Sequence, residues 1–208
     1  LVHVMIRKLH PLIHPAYVEY LDAVKNNQLA DLDIIEDDIL ADNFDYSYYQ
    51  NAAFHDACIK SGIFALVTKT LVNNLANLLH GKRCLEVMSG RGRLSYHLKQ
   101  AGIDIVATDN NSWSLNDHNV IQMSGLEAVR RYYDEMDMLV LCWPPMTNDA
   151  FQIIKEWGTE KPILVGGEIG GCCADELFDL HFEGDYLDVG SVSFAGIHDS
   201  FQLGYYRP

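Results

Sequence analysis

The sequence predicts an α/β protein: a doubly wound, mostly parallel sheet of seven strands, closed by an antiparallel C-terminal hairpin and preceded by N-terminal helices. Three observations carry this. After Gly81, short apolar runs alternate with helical stretches to the end of the chain. A turn bearing Gly90 and Gly92 joins an apolar run ending at Met88 to a helical stretch opening at Leu94. Seventeen residues past Gly92, a second apolar run (Ile103, Ile105, Val106) ends in Asp109. Strand, glycine turn, helix and a carboxylate at the tip of the next strand together form a nucleotide cradle. Glycines let backbone approach a ligand, the helix start offers free N–H groups, and the carboxylate suits a ribose diol.

Residues 1–80 read as a helical extension or lid, and 81–208 as the core. Tyr17, Tyr20, Leu21 and Val24 share one helix face, and Pro11 and Pro15 interrupt any helix that would display His10 and His14 together. The Tyr-rich stretch 43–51 is expected to be irregular. A long helical zone over 52–79, broken near Ser61 and Gly62, carries the stripe Leu71, Leu75, Leu78 and Leu79, and Gly81 caps it. Strands are expected at 83–88, 104–108, 120–123, 138–142, 162–166, 191–195 and 201–206. Helices are expected at 94–101, 125–133, 148–157 and 174–180. The last two strands form the hairpin, joined across 196–199.

The 208 residues suit one good core with an extension, and near-half apolar content indicates a globular protein. No apolar run is long enough to cross a bilayer and no signal-peptide pattern opens the chain, so a cytoplasmic protein without membrane partner is expected. The net charge of −14 disfavours nucleic acid as partner, although Lys82, Arg83, Arg91 and Arg93 gather near the glycine turn in sequence. The acidic run Asp31, Asp33, Glu36, Asp37, Asp38, Asp42 and Asp45 reads as a solvated face. Cys58, Cys84, Cys142, Cys172 and Cys173 are odd in number and unpaired in spacing, which predicts reduced thiols and no disulfide framework. No spacing supports a metal site.

Glu86 sits four residues before Gly90, and Ser95 stands where a dinucleotide fold would place its third glycine. A carboxylate there repels a pyrophosphate and suits a ligand carrying an ammonium. The segment resembles the E-x-G-x-G-x-G motif of the Rossmann-like, S-adenosylmethionine-dependent methyltransferases: Glu86, Gly90 and Gly92 match it, Asp109 matches the family's ribose acid, and Met88 departs from it where a glycine is usual. The resemblance covers 82–208. It implies S-adenosylmethionine as cofactor, held by Glu86, Met88, Ser89, Gly90, Gly92, Asp109, Asn110, Ser124 and Cys142, with Ser124 at the third strand's end near the adenine.

The fourth strand's end, Cys142-Trp143-Pro144-Pro145-Met146, resembles the [DNS]-P-P-[YFW] motif of amino-methylating enzymes. Trp143 replaces the polar first residue, so no side-chain acceptor is there for an amine. Trp143 either stacks on a flat or cationic group or packs beneath a loop. The fifth strand's end, around Glu168 in 166–173, is rich in small residues; Glu168 is either a general base or substrate anchor, or a capping or solvated carboxylate. The expected activity is methyl transfer to a small molecule or protein side chain. Alternatives are a methyltransferase-like fold that binds a ligand or partner without turnover, and an NAD-dependent oxidoreductase, against which Glu86 counts.

Overall fold

In the computed structural model the described residues are 14–34, 44–112 and 119–208, with the side chains of 44–47 excepted. His10, Pro11, Glu36, Asp37, Asp38 and Asp42 lie outside them. The chain forms two compact units, Leu1–Lys69 with Val192–His198, and Thr70–Ser191 with Asp199–Pro208.

In the first unit, α1 (Pro15–Lys25) starts at a proline whose missing N–H would be unbonded anyway, and His14 caps it by accepting from the Ala16 N–H. The Tyr17, Tyr20 and Leu21 face is buried as its spacing predicts. It packs with Phe54 and Cys58 of α2 (Phe44–Lys60) and with Phe194, and the Tyr17 ring stacks on Phe54 at 4.2 Å. Helix α2 begins at Phe44, so most of the stretch expected to be irregular is helical. Its tyrosines misled the propensity reading, and tertiary contacts overrode it. The long helical zone ends at Lys60, and a separate helix α3 (Lys69–Leu79) buries Leu71, Val72, Leu75 and Leu79.

The second unit is built on a seven-stranded sheet of order β3-β2-β1-β4-β5-β7-β6. Its strands are β1 (Arg83–Val87), β2 (Asp104–Asp109), β3 (Ile121–Gln122), β4 (Met138–Cys142), β5 (Ile163–Gly167), β6 (Phe182–Leu187) and β7 (Ser200–Tyr206). Strands β1 to β5 are parallel, and β7 runs antiparallel to both β5 and β6. Every residue of β4 and β5 is buried, as a sheet covered on both faces requires. The covering helices are α4 (Arg93–Gln100), α5 (Gly125–Tyr132), α6 (Asp149–Trp157) and α7 (Glu176–His181). Leu139, Leu141, Ile153, Ile154, Trp157 and Val165 form the centre of one core.

The doubly wound fold and its antiparallel close are as the sequence predicts, but the hairpin is drawn from a different segment. Residues 191–195 are not a sheet strand; Val192 makes only an isolated bridge with Leu66. The partner of β7 is β6, whose sequence Phe-Glu-Gly-Asp-Tyr-Leu lies at the sheet edge with three of its six residues exposed. An edge strand needs no apolar run, so it carried no hydropathy signal. The four basic residues also divide. Lys82 and Arg83 stand at the start of β1, where Arg83 pairs with Asp137 at 2.9 Å, whereas Arg91 and Arg93 follow its other end. All five cysteines are free. No helix among the described residues is long and apolar enough to cross a membrane, and none of their side chains form a metal-binding cluster.

Candidate functional site

The strand order reverses between β1 and β4, and in such sheets ligands sit beyond the carboxyl ends of the strands at that point. The turn after β1 lies there. Gly90 and Gly92 adopt φ of 54° and 68°, which L side chains rarely accept, and a Cβ on Gly90 would meet no atom within 4 Å. The turn is therefore set by backbone conformation and opens onto free space. Gly92 is the N-cap of α4 and supplies no side-chain cap, so the helix start is not closed by its own residues.

Met88 takes φ 56° at the place where the resembling motif has glycine. A side chain there is strained by about 1–2 kcal/mol. The turn is then tied to β2. The Ser89 N–H and hydroxyl both donate to the Thr108 carbonyl at 3.1 Å. Asp109 accepts from the Gly90 N–H at 2.9 Å on one oxygen and from the Asn111 N–H at 2.7 Å on the other. Asn110 accepts from the Ser112 N–H at 2.9 Å. Glu86, Ser89, Gly90 and Asp109 thus converge, and each Asp109 oxygen keeps a lone pair for a further donor.

Glu86 is only 2% exposed. Burial pushes its carboxyl up to about 7, against the pull of a hydrogen bond donated by the Ser95 hydroxyl; the Asp109 charge adds to the rise and Lys99 opposes it. The sequence marked Ser95 only as the residue in place of a third glycine and did not foresee its bond to Glu86. Its signal was a hydroxyl at the third-glycine position, one helical turn from a turn preceded by a carboxylate. Cys142 is buried, and burial, reinforced by Glu86, holds its thiol protonated. Ser124 caps α5 through a reciprocal pair with Glu127, whose N–H donates to the Ser124 hydroxyl at 3.3 Å while its carboxylate accepts from the Ser124 N–H at 3.1 Å.

Across the switch point, Trp143 closes β4 with φ 53°, its N–H donating to the Gly166 carbonyl at 2.7 Å. A bulky residue at positive φ is an outlier, held here between β5 and two prolines. Its indole meets the Phe201 ring edge-on at 5.6 Å and lies against Gly167, where a Cβ would come within 3.4 Å of Cδ1. The Glu168 carbonyl accepts from the Gly171 and Cys173 N–H groups, folding 168–173 back on itself. Because β7 pairs Ser200 with Gly167, Asp199 is delivered to the same edge. Burial pushes Asp199 up to about 6; the Trp143 indole N–H favours its charged form and Glu168 disfavours it. Sequence reasoning missed Asp199, which it read as part of a hairpin loop. Nothing local marks it, because its place depends on the register of β7 against β5.

No family model matches the chain, and no curated protein matches it. Among solved structures, a mutant of MtNAS in complex with S-adenosylmethionine aligns at TM-score 0.48 and 14% identity over 94% of this chain and 77% of its own. The Burkholderia thailandensis 1,6-didemethyltoxoflavin-N1-methyltransferase, with bound 1,6-didemethyltoxoflavin and S-adenosylhomocysteine, aligns at 0.45 and 14% over 83% and 94%. TehB from Haemophilus influenzae aligns at 0.40 and 14% over 74% and 67%.

Proposed function

We propose that this chain is an S-adenosylmethionine-dependent methyltransferase acting on a small molecule or a protein side chain. The observation that carries the reading is the convergence of Glu86, the Gly90 turn and Asp109 at the carboxyl ends of β1 and β2, beside the switch point of a sheet ordered β3-β2-β1-β4-β5-β7-β6. The residues fit the group. The turn opens onto free space at Gly90, Asp109 keeps acceptor capacity for a diol, and the only buried carboxylate of β1 favours a ligand with an ammonium over a pyrophosphate. The same carboxylate disfavours the oxidoreductase alternative.

Bound there, S-adenosylmethionine supplies a methyl group activated on a sulfonium. In this reading Asp109 and Asn110 hold the ribose side. Ser89, Gly90 and Gly92 shape the turn, with Glu86 behind it, and Met88, Ser124 and Cys142 border the remainder. Trp143 and Glu168 face the acceptor. Little acid–base chemistry is required, because orientation of the acceptor supplies most of the rate. Calorimetry with S-adenosylmethionine, S-adenosylhomocysteine and NAD, side by side, tests the reading. Micromolar binding of the first two without NAD is expected. Tight NAD binding with no response to S-adenosylhomocysteine overturns it.

A further inference from the structure

Helix α4 opens beside the glycine turn without the groups that usually hold a helix start. Its N-cap, Gly92, makes no side-chain cap bond, and its first turn contains no acidic residue. That turn instead begins with Arg93, a cation at the positive end of the helix dipole. The missing groups come from β1. The Ser95 hydroxyl donates to the Glu86 carboxylate, nine residues away in sequence, and the Ser95 backbone N–H favours the charged form of the same carboxylate. Ser95 is the third residue of α4, the position whose N–H an N-cap side chain ordinarily binds. Both partners are buried. Glu86 is thus joined by its backbone to the strand before the turn and by its carboxylate to the helix after it. Between them Met88, Gly90 and Gly92 all take positive φ, a run that local preference does not hold in place. A buried carboxylate is costly, and residues that break a local stability rule concentrate at functional sites.

We infer that Glu86 is a positioning residue: it caps α4 from β1 through Ser95 and so fixes the turn 88–92 for the ammonium-bearing tail of the ligand, acting through that clamp rather than by contact with the ligand. The inference rests on the methyltransferase reading for the identity of the tail. The clamp itself does not depend on that reading.

The test follows Glu86→Gln, Ser95→Ala and the double variant, each as the full chain at pH 8. Without ligand, amide hydrogen exchange is read by mass spectrometry. Each single substitution is expected to speed exchange in 93–96 by at least about threefold and to leave 125–132 unchanged, and the double variant to be no faster than the faster single. Calorimetry then compares S-adenosylhomocysteine with 5′-methylthioadenosine, which keeps the nucleoside and lacks the amino-acid tail. Each variant should weaken the first by at least about fivefold and the second by less than about twofold, with no further loss in the double. Losses that multiply in the double variant overturn the inference, because independent residues behave that way. So does a loss in Glu86→Gln that Ser95→Ala does not share, equal loss of both ligands, or unchanged exchange in 93–96. Melting curves show which variants fold, and Glu86→Asp, whose carboxylate is set back from Ser95, replaces Glu86→Gln if that variant does not. If the wild type binds neither ligand while the exchange pattern holds, the methyltransferase reading falls and the clamp stands.

Discussion

At the ends of β1 and β2 the chain uses its polar groups on itself: Asp109 holds two backbone N–H groups, Ser89 is bound to Thr108, and Glu86 is bound to Ser95. At the ends of β4 and β5 and the start of β7, Glu168 disfavours the charged form of Asp199 while the Trp143 indole N–H favours it. The first region is pre-organised by local hydrogen bonds and is suited to an invariant ligand part. The second is a charged, aromatic edge whose groups come from three distant segments. Evolution can alter it one residue at a time without disturbing the cradle, which suits a region that sets specificity.

Asp109 offers the sharpest way to break this contrast. Asp109→Ala removes both the proposed diol acceptor and the tie to Gly90 and Asn111. Cofactor binding is expected to weaken by about 2–4 kcal/mol, from two charge-assisted bonds of roughly 1.5–3 kcal/mol each with overlap. The protein should still fold, because a strand-tip loop carries little of the core. Calorimetry with S-adenosylhomocysteine and a melting curve check both halves. Unchanged affinity in a folded variant would place the ribose elsewhere and end the idea that this region is the pre-organised one.

Glu86 gives a pH signature to the same region. A carboxyl whose folded value is raised binds more protons when folded than when unfolded. Its contribution therefore falls as pH rises from about 4.5, the ordinary value for this side chain, to about 7, and is flat on either side. The loss across that window is roughly 3 kcal/mol, since one pH unit corresponds to about 1.4 kcal/mol. Glu86→Gln should remove this slope, so the variant gains on the wild type most above pH 7. Denaturant unfolding at pH 5, 6, 7 and 8 reads it. Parallel pH profiles for the two proteins would mean that Glu86 is less desolvated than its burial indicates.

The two regions differ equally in how far they were legible. The cradle could be read because its parts lie within 86–109, where strand, turn and carboxylate spacing are fixed by local geometry. Even there the bond from Ser95 to Glu86 was not foreseen, since a hydroxyl in a first helical turn has many ordinary uses. Trp143 and Glu168 could be located at strand ends, but Asp199 could not, because only the antiparallel register of β7 brings it to Gly167. The same non-local pairing hid β6: its polar edge sequence has no period to find, while the apolar 191–195 looked more like a strand and packs instead around Phe194 in the first unit. Local spacing is written in the chain; register between distant strands is not.

The smallest effect concerns Met88, the departure from the motif inside the otherwise regular cradle. Its φ of 56° is the left-handed region, and its side chain packs against the core of the second unit. Met88→Gly alone mixes lost packing with relieved strain, so the informative comparison is between Met88→Gly and Met88→Ala, which lose nearly the same contacts. At an ordinary position glycine is the less stable of the two by about 0.5–1 kcal/mol. At a left-handed position the Cβ penalty of about 1–2 kcal/mol reverses the order. Met88→Gly is therefore expected to exceed Met88→Ala by about 1 kcal/mol, or about 2–4 °C in Tm for a chain of this size. If alanine is the more stable, Met88 does not hold the left-handed turn, and the cradle takes its shape from Gly90 and Gly92 alone. If glycine wins and cofactor affinity also rises, the methionine is a constraint on the ligand site rather than on the fold.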